Sequence, residues 1–373
     1  MYSQPDCAVY LPLTQLTSLA ARLMARGYQC LGPAVENGAI VMRELDAPDD
    51  LPRGLLAEQA PGRYRLTLAP HNRYFAWANG PQAIKPQTFA PQESLWRVER
   101  DAAGRLHFAA VLPAAPAQAI IGVRACDLAA LSLQDAHFLR TGRRDPHYAQ
   151  RREQLFLVAV QCAEPAATCF CASAGDGPTP TVGYDIALAE LVDGFVAVAG
   201  SARGDAVLKE LNLSPATPQQ IDAARQQGQA AAAAQTRSLP AHNLRDVLMS
   251  RLEHPRWDEV AMRCLACGNC TAVCPTCFCH AEVDEPALNG QSSEHARVWD
   301  SCFGETHGHL HGFNVRPDIR SRYRQWLTHK LATWHDQFGR SGCVGCGRCI
   351  AWCPVGIDLT EEVAALTAGE VKP

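Results

Sequence analysis

Eight cysteines in the last third of the chain stand in two identical frames. One is Cys264-Leu-Ala-Cys267-Gly-Asn-Cys270-Thr-Ala-Val-Cys274-Pro275, the other Cys343-Val-Gly-Cys346-Gly-Arg-Cys349-Ile-Ala-Trp-Cys353-Pro354. Each reads C-x₂-C-x₂-C-x₃-C-P, the bacterial ferredoxin spacing for [4Fe–4S] clusters. Three thiolates this close together wrap a loop around one corner of a cubane. The fourth, followed by proline, leaves on a helix and ligates the other cluster. The spacing predicts one cluster on Cys264, Cys267, Cys270 and Cys353, and a second on Cys343, Cys346, Cys349 and Cys274. Zinc is the competing metal, but its sites are usually built from two C-x₂-C pairs, not eight cysteines in duplicate frames. The chemistry indicated is electron transfer. Gly268, Gly345 and Gly347 lie inside the loops, where a missing Cβ lets amide N–H groups approach the sulfides and raise the potential. Potentials of such centres span about −700 to +450 mV, so spacing alone leaves theirs open.

Seven further cysteines form two less complete groups. Cys126 and Cys162 each follow an apolar run rich in Ile and Val. If those runs are neighbouring parallel strands, both thiols emerge at the carboxyl edge, where α/β sheets place their sites. Cys169-Phe-Cys171 follows in a loop containing Pro and Gly, and the four cysteines 126, 162, 169 and 171 predict a third cluster. The alternative is that Cys126 and Cys162 are small buried hydrophobes. Cys277, Cys279 and Cys302 fall one ligand short of a closed site, which His280 or His307 would complete as an extra metal centre. The tract His307-Gly-His309-Leu-His311 has metal-binding composition, although a short His run in a loop is more often solvated surface. No nucleophile elbow, Walker loop or Rossmann fingerprint occurs, and residues 194–204 lack the G-x-G-x-x-G order. The chain is expected to have no catalytic site of its own.

The elements that position these residues read as an α/β N-terminal domain over 1–200, a helical linker over 201–255, and a C-terminal module over 256–373. That module is expected to be helical with a bacterial-type 2[4Fe–4S] ferredoxin fold, and to carry an inserted subdomain at about 277–340. Residues 13–26 suggest an amphipathic helix closed by Gly27, and 39–43 and 64–68 short strands. The runs 119–123 and 155–160 read as buried parallel strands around a helix at 127–139, a β-α-β unit. A further helix at 186–191 and strand at 195–199 extend it. Asp127 is expected as a helix cap, Asp135 as a surface charge, and Trp257, Trp299, Trp326 and Trp334 as packing for the cluster module. Residues 205–253, rich in Ala and Gln, read as a solvated linker or outer helix. The two cysteine frames are separated by 68 residues (275 to 342), far more than a compact ferredoxin needs, hence the inserted subdomain.

At 373 residues the chain is too long for one small ferredoxin and implies two or three domains. A net charge of −4 argues against nucleic acid as a partner. Only four lysines occur (Lys85, Lys209, Lys330, Lys372), a scarcity with no evident functional reading. Seventeen cysteines would suit a secreted disulfide scaffold, but eleven lie at 264–353 in cluster spacing and the N-terminus lacks a signal-peptide pattern. The expected compartment is the cytoplasm. The most apolar stretch, 109–123, is too short and too broken by Pro113 and Pro116 to span a bilayer, so the protein is not expected to be membrane-embedded.

Several strings together resemble a known family: Gly122-Val-Arg-Ala-Cys-Asp-Leu128, Asp145-Pro-His-Tyr148 with Arg151-Arg152, Cys169-Phe-Cys171, Cys274-Pro-Thr-Cys-Phe-Cys279, Trp299-Asp-Ser-Cys302 and the two frames themselves. They are similar to the iron–sulfur beta subunit of cytoplasmic sulfhydrogenases, NADP-linked bidirectional [NiFe]-hydrogenases. That family is related to the iron–sulfur subunit of anaerobic sulfite reductase. The resemblance runs from about residue 119 to 360 and is loose over 1–118. It implies a heterotetramer in which this chain links a flavin/NADP(H) diaphorase subunit to the small and large [NiFe]-hydrogenase subunits. It also implies that all the cysteine groups recur. Two other expectations stay open: the corresponding subunit of a sulfite reductase delivering electrons to sirohaem, and an independent ferredoxin-like carrier. The size of the α/β domain disfavours the simple carrier.

Overall fold

The computed structural model describes residues 7–78, 80–240 and 243–368. An eight-stranded mixed sheet forms the N-terminal half. Its order is Ser214–Pro215, Ala8–Pro12, Gly194–Ala199, Ile186–Glu190, Leu155–Val160, Gln118–Val123, Gln29–Glu36, Ala39–Glu44. The four strands from Ile186–Glu190 to Gln29–Glu36 run parallel, and antiparallel strands flank them on both sides. Every residue of Leu155–Val160 is buried, because helices cover both faces. Phe156, Val158 and Val160 face a core shared with helix Leu16–Ala25, while Leu155, Leu157 and Ala159 face a second core under helix Ala125–Phe138. Alternate residues therefore serve opposite faces, as the strand period of two requires.

Three sequence expectations change here. Residues 186–190 form a strand, not a helix: Ala and Leu favour helices, but pairing with strands on both sides and complete burial override that weak preference. Asp127 is not a helix cap, since the helix starts at Ala125 with Arg124 at the N-cap. Its carboxylate is instead buried against Arg348, 2.7 and 3.2 Å from two guanidinium nitrogens. Asp135 is not a free surface charge, because it accepts from the Tyr148 hydroxyl at 2.7 Å and from Arg152 at 3.1 Å.

The stretch after residue 200 is also more than a solvated linker. Helix Ala202–Glu210 places Val207 and Leu208 in the sheet's core, and Ser214–Pro215 adds the edge strand. Helix Pro218–Ala233 starts at a capping box of Thr217 and Gln220 and packs Ile221 and Ala224 on the sheet.

The C-terminal half is a cluster of short helices: Leu244–Ser250, Arg256–Ala261, Ile319–Thr328 with a π-helical turn at His329–Thr333, and Leu359–Thr367. Their apolar faces meet around Trp257, Trp326, Leu327, Leu331 and Val363. Trp334 packs in a separate patch with Cys126, Cys171 and Cys346, while Trp299 stacks on Phe89 beside the sheet domain. The insertion between the cysteine frames does not stand apart as a subdomain. Its hairpin, His280–Pro286 and Ser292–Trp299, pairs with the hairpin Gln92–Arg100 and Leu106–Ala110 of the N-terminal half in one four-stranded antiparallel sheet. Among the described residues no helix is long and apolar enough to cross a membrane.

Arg348, only 2% exposed, bolts the second cysteine loop to the sheet domain by donating to the Gly80 carbonyl at 3.0 Å and to Asp127. Removing one partner of a buried ion pair strands the other's charge. Asp127→Ala is therefore expected to cost about 3–5 kcal/mol in urea unfolding of the anaerobic protein. Asp127→Leu/Arg348→Met should recover most of that loss, and equal losses in both variants would show that packing, not charge, dominates.

Candidate iron–sulfur centres

Two loops of the same shape carry the ferredoxin frames. In the first, Ala266 and Gly268 have φ of +50° and +76°; in the second, Gly345 and Gly347 have φ of +64° and +72°. The left-handed turns curl each chain around its own sulfurs. The amide of Ala266 donates to the Cys264 Sγ at 3.4 Å, and the corresponding amides of Gly345 and Arg348 donate to Cys343 and Cys346. At the return, Ile357 N–H donates to Cys353 Sγ at 3.3 Å.

Cys264, Cys267, Cys270 and Cys353 line one cavity, closed by Phe303, Tyr323 and Trp326. The Tyr323 hydroxyl and Trp326 indole N–H are buried with no hydrogen-bond partner in the protein. Buried donors are rarely left so, and cluster sulfides are suitable acceptors. The cavity and its orphan donors fit an iron–sulfur cluster. Cys343, Cys346 and Cys349 in turn have Cys274 as their common neighbour. The crossover expected from the spacing thus brings each set of four together. Burial pushes the Cys343 thiol up to about 12 and raises Cys270 and Cys349 well above the usual thiol range. Metal binding must therefore displace protons from these sulfurs.

Charge compensation comes from a residue that spacing does not reveal. Lys330, on the π-helical turn, is 5% exposed and donates to Cys274 Sγ at 3.3 Å and to Thr276 Oγ1 at 2.9 Å. Burial disfavours its ammonium, but the Cys274 and Cys277 sulfurs outweigh burial and hold its pKa above the ordinary lysine value.

Cys126 and Cys162 do lie at the carboxyl edges of neighbouring parallel strands. Cys169 and Cys171 close over them: Cys171 neighbours Cys162, Cys169 neighbours both, and Cys126 neighbours Cys171. Cys346 is close to all three of Cys126, Cys169 and Cys171, so this group adjoins the second ferredoxin frame. The contact is intimate. A Cβ on Gly345 would lie 2.5 Å from the Phe170 carbonyl, and one on Gly347 2.4 Å from the Thr168 oxygen. These glycines thus make room for the 168–171 loop, a role beyond the amide–sulfide approach expected of them. Arg124, 1% exposed, donates to Cys162 Sγ at 3.6 Å, and the Gln235 amide donates to Cys171 Sγ at 3.3 Å. Gln235 gives the Ala/Gln-rich segment a place at the site, although nothing in its local composition marks it.

Cys277, Cys279 and Cys302 gather at the base of the inserted hairpin with His307, not with His280, whose Nδ1 lies 3.1 Å from the Phe278 carbonyl. His309 and His311 are exposed, so the three-histidine tract contributes one residue. Among the described residues no three His, Cys, Asp or Glu side chains converge tightly enough for a single metal ion. Cys7 and Cys30 stand outside every group.

A 4Fe-4S dicluster domain is recognised over residues 263–357, and a second match of the same description covers 228–278. Frames, cavities and domain define an iron–sulfur electron-transfer protein. Sulfhydrogenase 2 subunit beta of Pyrococcus furiosus is 33% identical over 253 residues, covering 67% of this chain and 74% of that protein. The chain belongs to this hydrogenase-related family of sulfhydrogenase beta subunits. No solved structure matches it. Anaerobically purified protein is expected to carry at least about eight irons with matching acid-labile sulfide, since each cubane takes four. Iron and sulfide analysis checks this, and stoichiometric zinc with four or fewer irons would contradict it.

Proposed function

We propose that this chain is the electron-relay subunit of a cytoplasmic hydrogenase complex, connecting a flavin/NADP(H) subunit to the subunits that hold a [NiFe] site. In this reading Cys264, Cys267, Cys270 and Cys353 hold one [4Fe–4S] cluster, and Cys343, Cys346, Cys349 and Cys274 the second. Cys126, Cys162, Cys169 and Cys171 hold a third. When bound, each cluster supplies a one-electron store. The observation that carries the reading is the adjacency of the three cysteine groups. The third meets the second at Cys346, the second meets the first where Cys349 neighbours Cys270, and the first reaches exposed Cys267. Met262 and Leu265 beside that end are 82% and 62% exposed, an apolar rim suited to a protein partner. The likeness to a sulfhydrogenase beta subunit supports the hydrogenase setting.

The chain's own residues hold and screen the path. Arg124 and Lys330 place buried positive charge against sulfurs of the third and second groups, and the loop amides donate to the sulfurs of the frames. Such contacts raise reduction potentials by favouring the more negative, reduced state.

Substitution of Cys169 and Cys171 together by serine is expected to remove about four irons while retaining the EPR signals of the frame clusters. Unchanged iron would return all four cysteines of that group to the role of core thiols. The relay itself is tested in the assembled complex. Omitting this chain should abolish hydrogen-dependent NADP reduction yet spare hydrogen oxidation by an artificial dye that draws electrons directly from the hydrogenase subunits. NADP reduction at full rate without the chain would refute the role.

A further inference from the structure

The thiols at the base of the inserted hairpin form a built site of their own. Strand pairing sets His280 opposite Trp299, and the Asp300 amide donates to the Cys279 carbonyl at 3.0 Å. Cys277 and Cys279 on one side and Cys302 on the other are thereby fixed face to face. Cys302 is within hydrogen-bonding reach of Cys279, and Cys279 also neighbours Cys277. His307 meets Cys279 as well, and its Nδ1 lies 2.6 Å from Asp300 Oδ2. A carboxylate on one imidazole nitrogen fixes the ring and leaves the other nitrogen to ligate, the arrangement commonly found behind metal-bound histidine.

Two independent observations call for an anionic group here. Lys85 and Lys330 are each 5% exposed and come from opposite halves of the chain, and among the described residues neither forms an ion pair with a carboxylate. Buried lysines are almost always paired. Both ammonium groups instead face Cys277 and Cys274. The Trp299 indole N–H, buried and without an acceptor, belongs to the ring under Lys85, 3.8 Å from its ammonium. A cavity of about 280 Å³ is lined by Lys85, Cys277, Cys279 and Trp299. Two cations and a donor without acceptors require negative charge and sulfur lone pairs at this place. The ligands do not converge on a single ion, which leaves a polynuclear group.

We infer that Cys277, Cys279, Cys302 and His307 hold a further [4Fe–4S] cluster, its negative charge offset by Lys85 and Lys330. Cys277 neighbours Cys274 and Cys302 neighbours Cys270, so the cluster adjoins one ligand of each ferredoxin frame. It forms a branch from the relay proposed above, and the inference rests on that iron–sulfur reading.

The test uses the full-length chain reconstituted anaerobically with ferrous iron and sulfide. Cys277→Ser/Cys302→Ser is expected to bind about four irons and four sulfides fewer than the unaltered chain, with the signals of the other clusters retained. Equal iron and sulfide in the two proteins would overturn the inference, as would loss of one metal ion without sulfide. Serine substitutions within the frames and at Cys169 and Cys171 report the other clusters separately, so failure of the relay reading is distinguishable. Should the double variant not fold, His307→Cys decides. It is expected to keep all its iron and lower one midpoint potential, because imidazole ligation raises potentials relative to thiolate. Potentials unchanged throughout would overturn it.

Discussion

Sulfur that binds iron must be thiolate, and thiolate in an apolar interior needs opposing charge. Most of this architecture answers to that constraint. Burial pushes Cys343 and Cys171 up to about 12, so without iron these sulfurs hold their protons. Ligation replaces protons by iron, and the charge left over is met by cations already in place: Arg124 at the third group, Lys330 at Cys274, Lys85 beside Cys277. Each of these cations is itself buried and would be costly without its anionic partner. Folding and cluster loading are coupled through the same contacts, in the manner of other metal sites whose binding energy is part of the folding energy.

The constraint also explains why the two halves interlock. Arg348 sits inside the second cysteine frame, yet its partners, Gly80 and Asp127, belong to the sheet domain. Gly345 and Gly347 receive the 168–171 loop at distances no side chain would permit. The hairpin 280–299 completes a sheet begun by residues 92–110, and so fixes the thiols at its base relative to both frames. An electron path needs fixed separations between its stations. Here they are set by backbone contacts and buried ion pairs, not by a flexible connection between a domain and an appended ferredoxin.

The frame cysteines are legible because ferredoxin spacing is a local constraint: three ligands to one cubane lie within seven residues. The parallel strands ahead of Cys126 and Cys162 are legible for a similar reason, since strands buried on both faces are continuous apolar runs. Residues 186–190 mislead because Ala and Leu carry little local preference for a strand, and neighbouring strands make the choice. The 205–253 segment reads as solvated from its Ala and Gln content. Its Gln235 becomes a donor to Cys171 through a contact with a residue 64 positions away.

The sequence by itself determined that this protein carries two ferredoxin-type clusters and which cysteines form each frame, because covalent spacing dictates what one small loop can wrap. Tertiary structure decided how the other thiols group, that His307 and not His280 joins Cys279, and that two of the four lysines are buried among sulfurs. Those facts depend on pairings between residues tens to hundreds of positions apart. They are set by the closing of a hairpin and the packing of two halves, which no local pattern encodes.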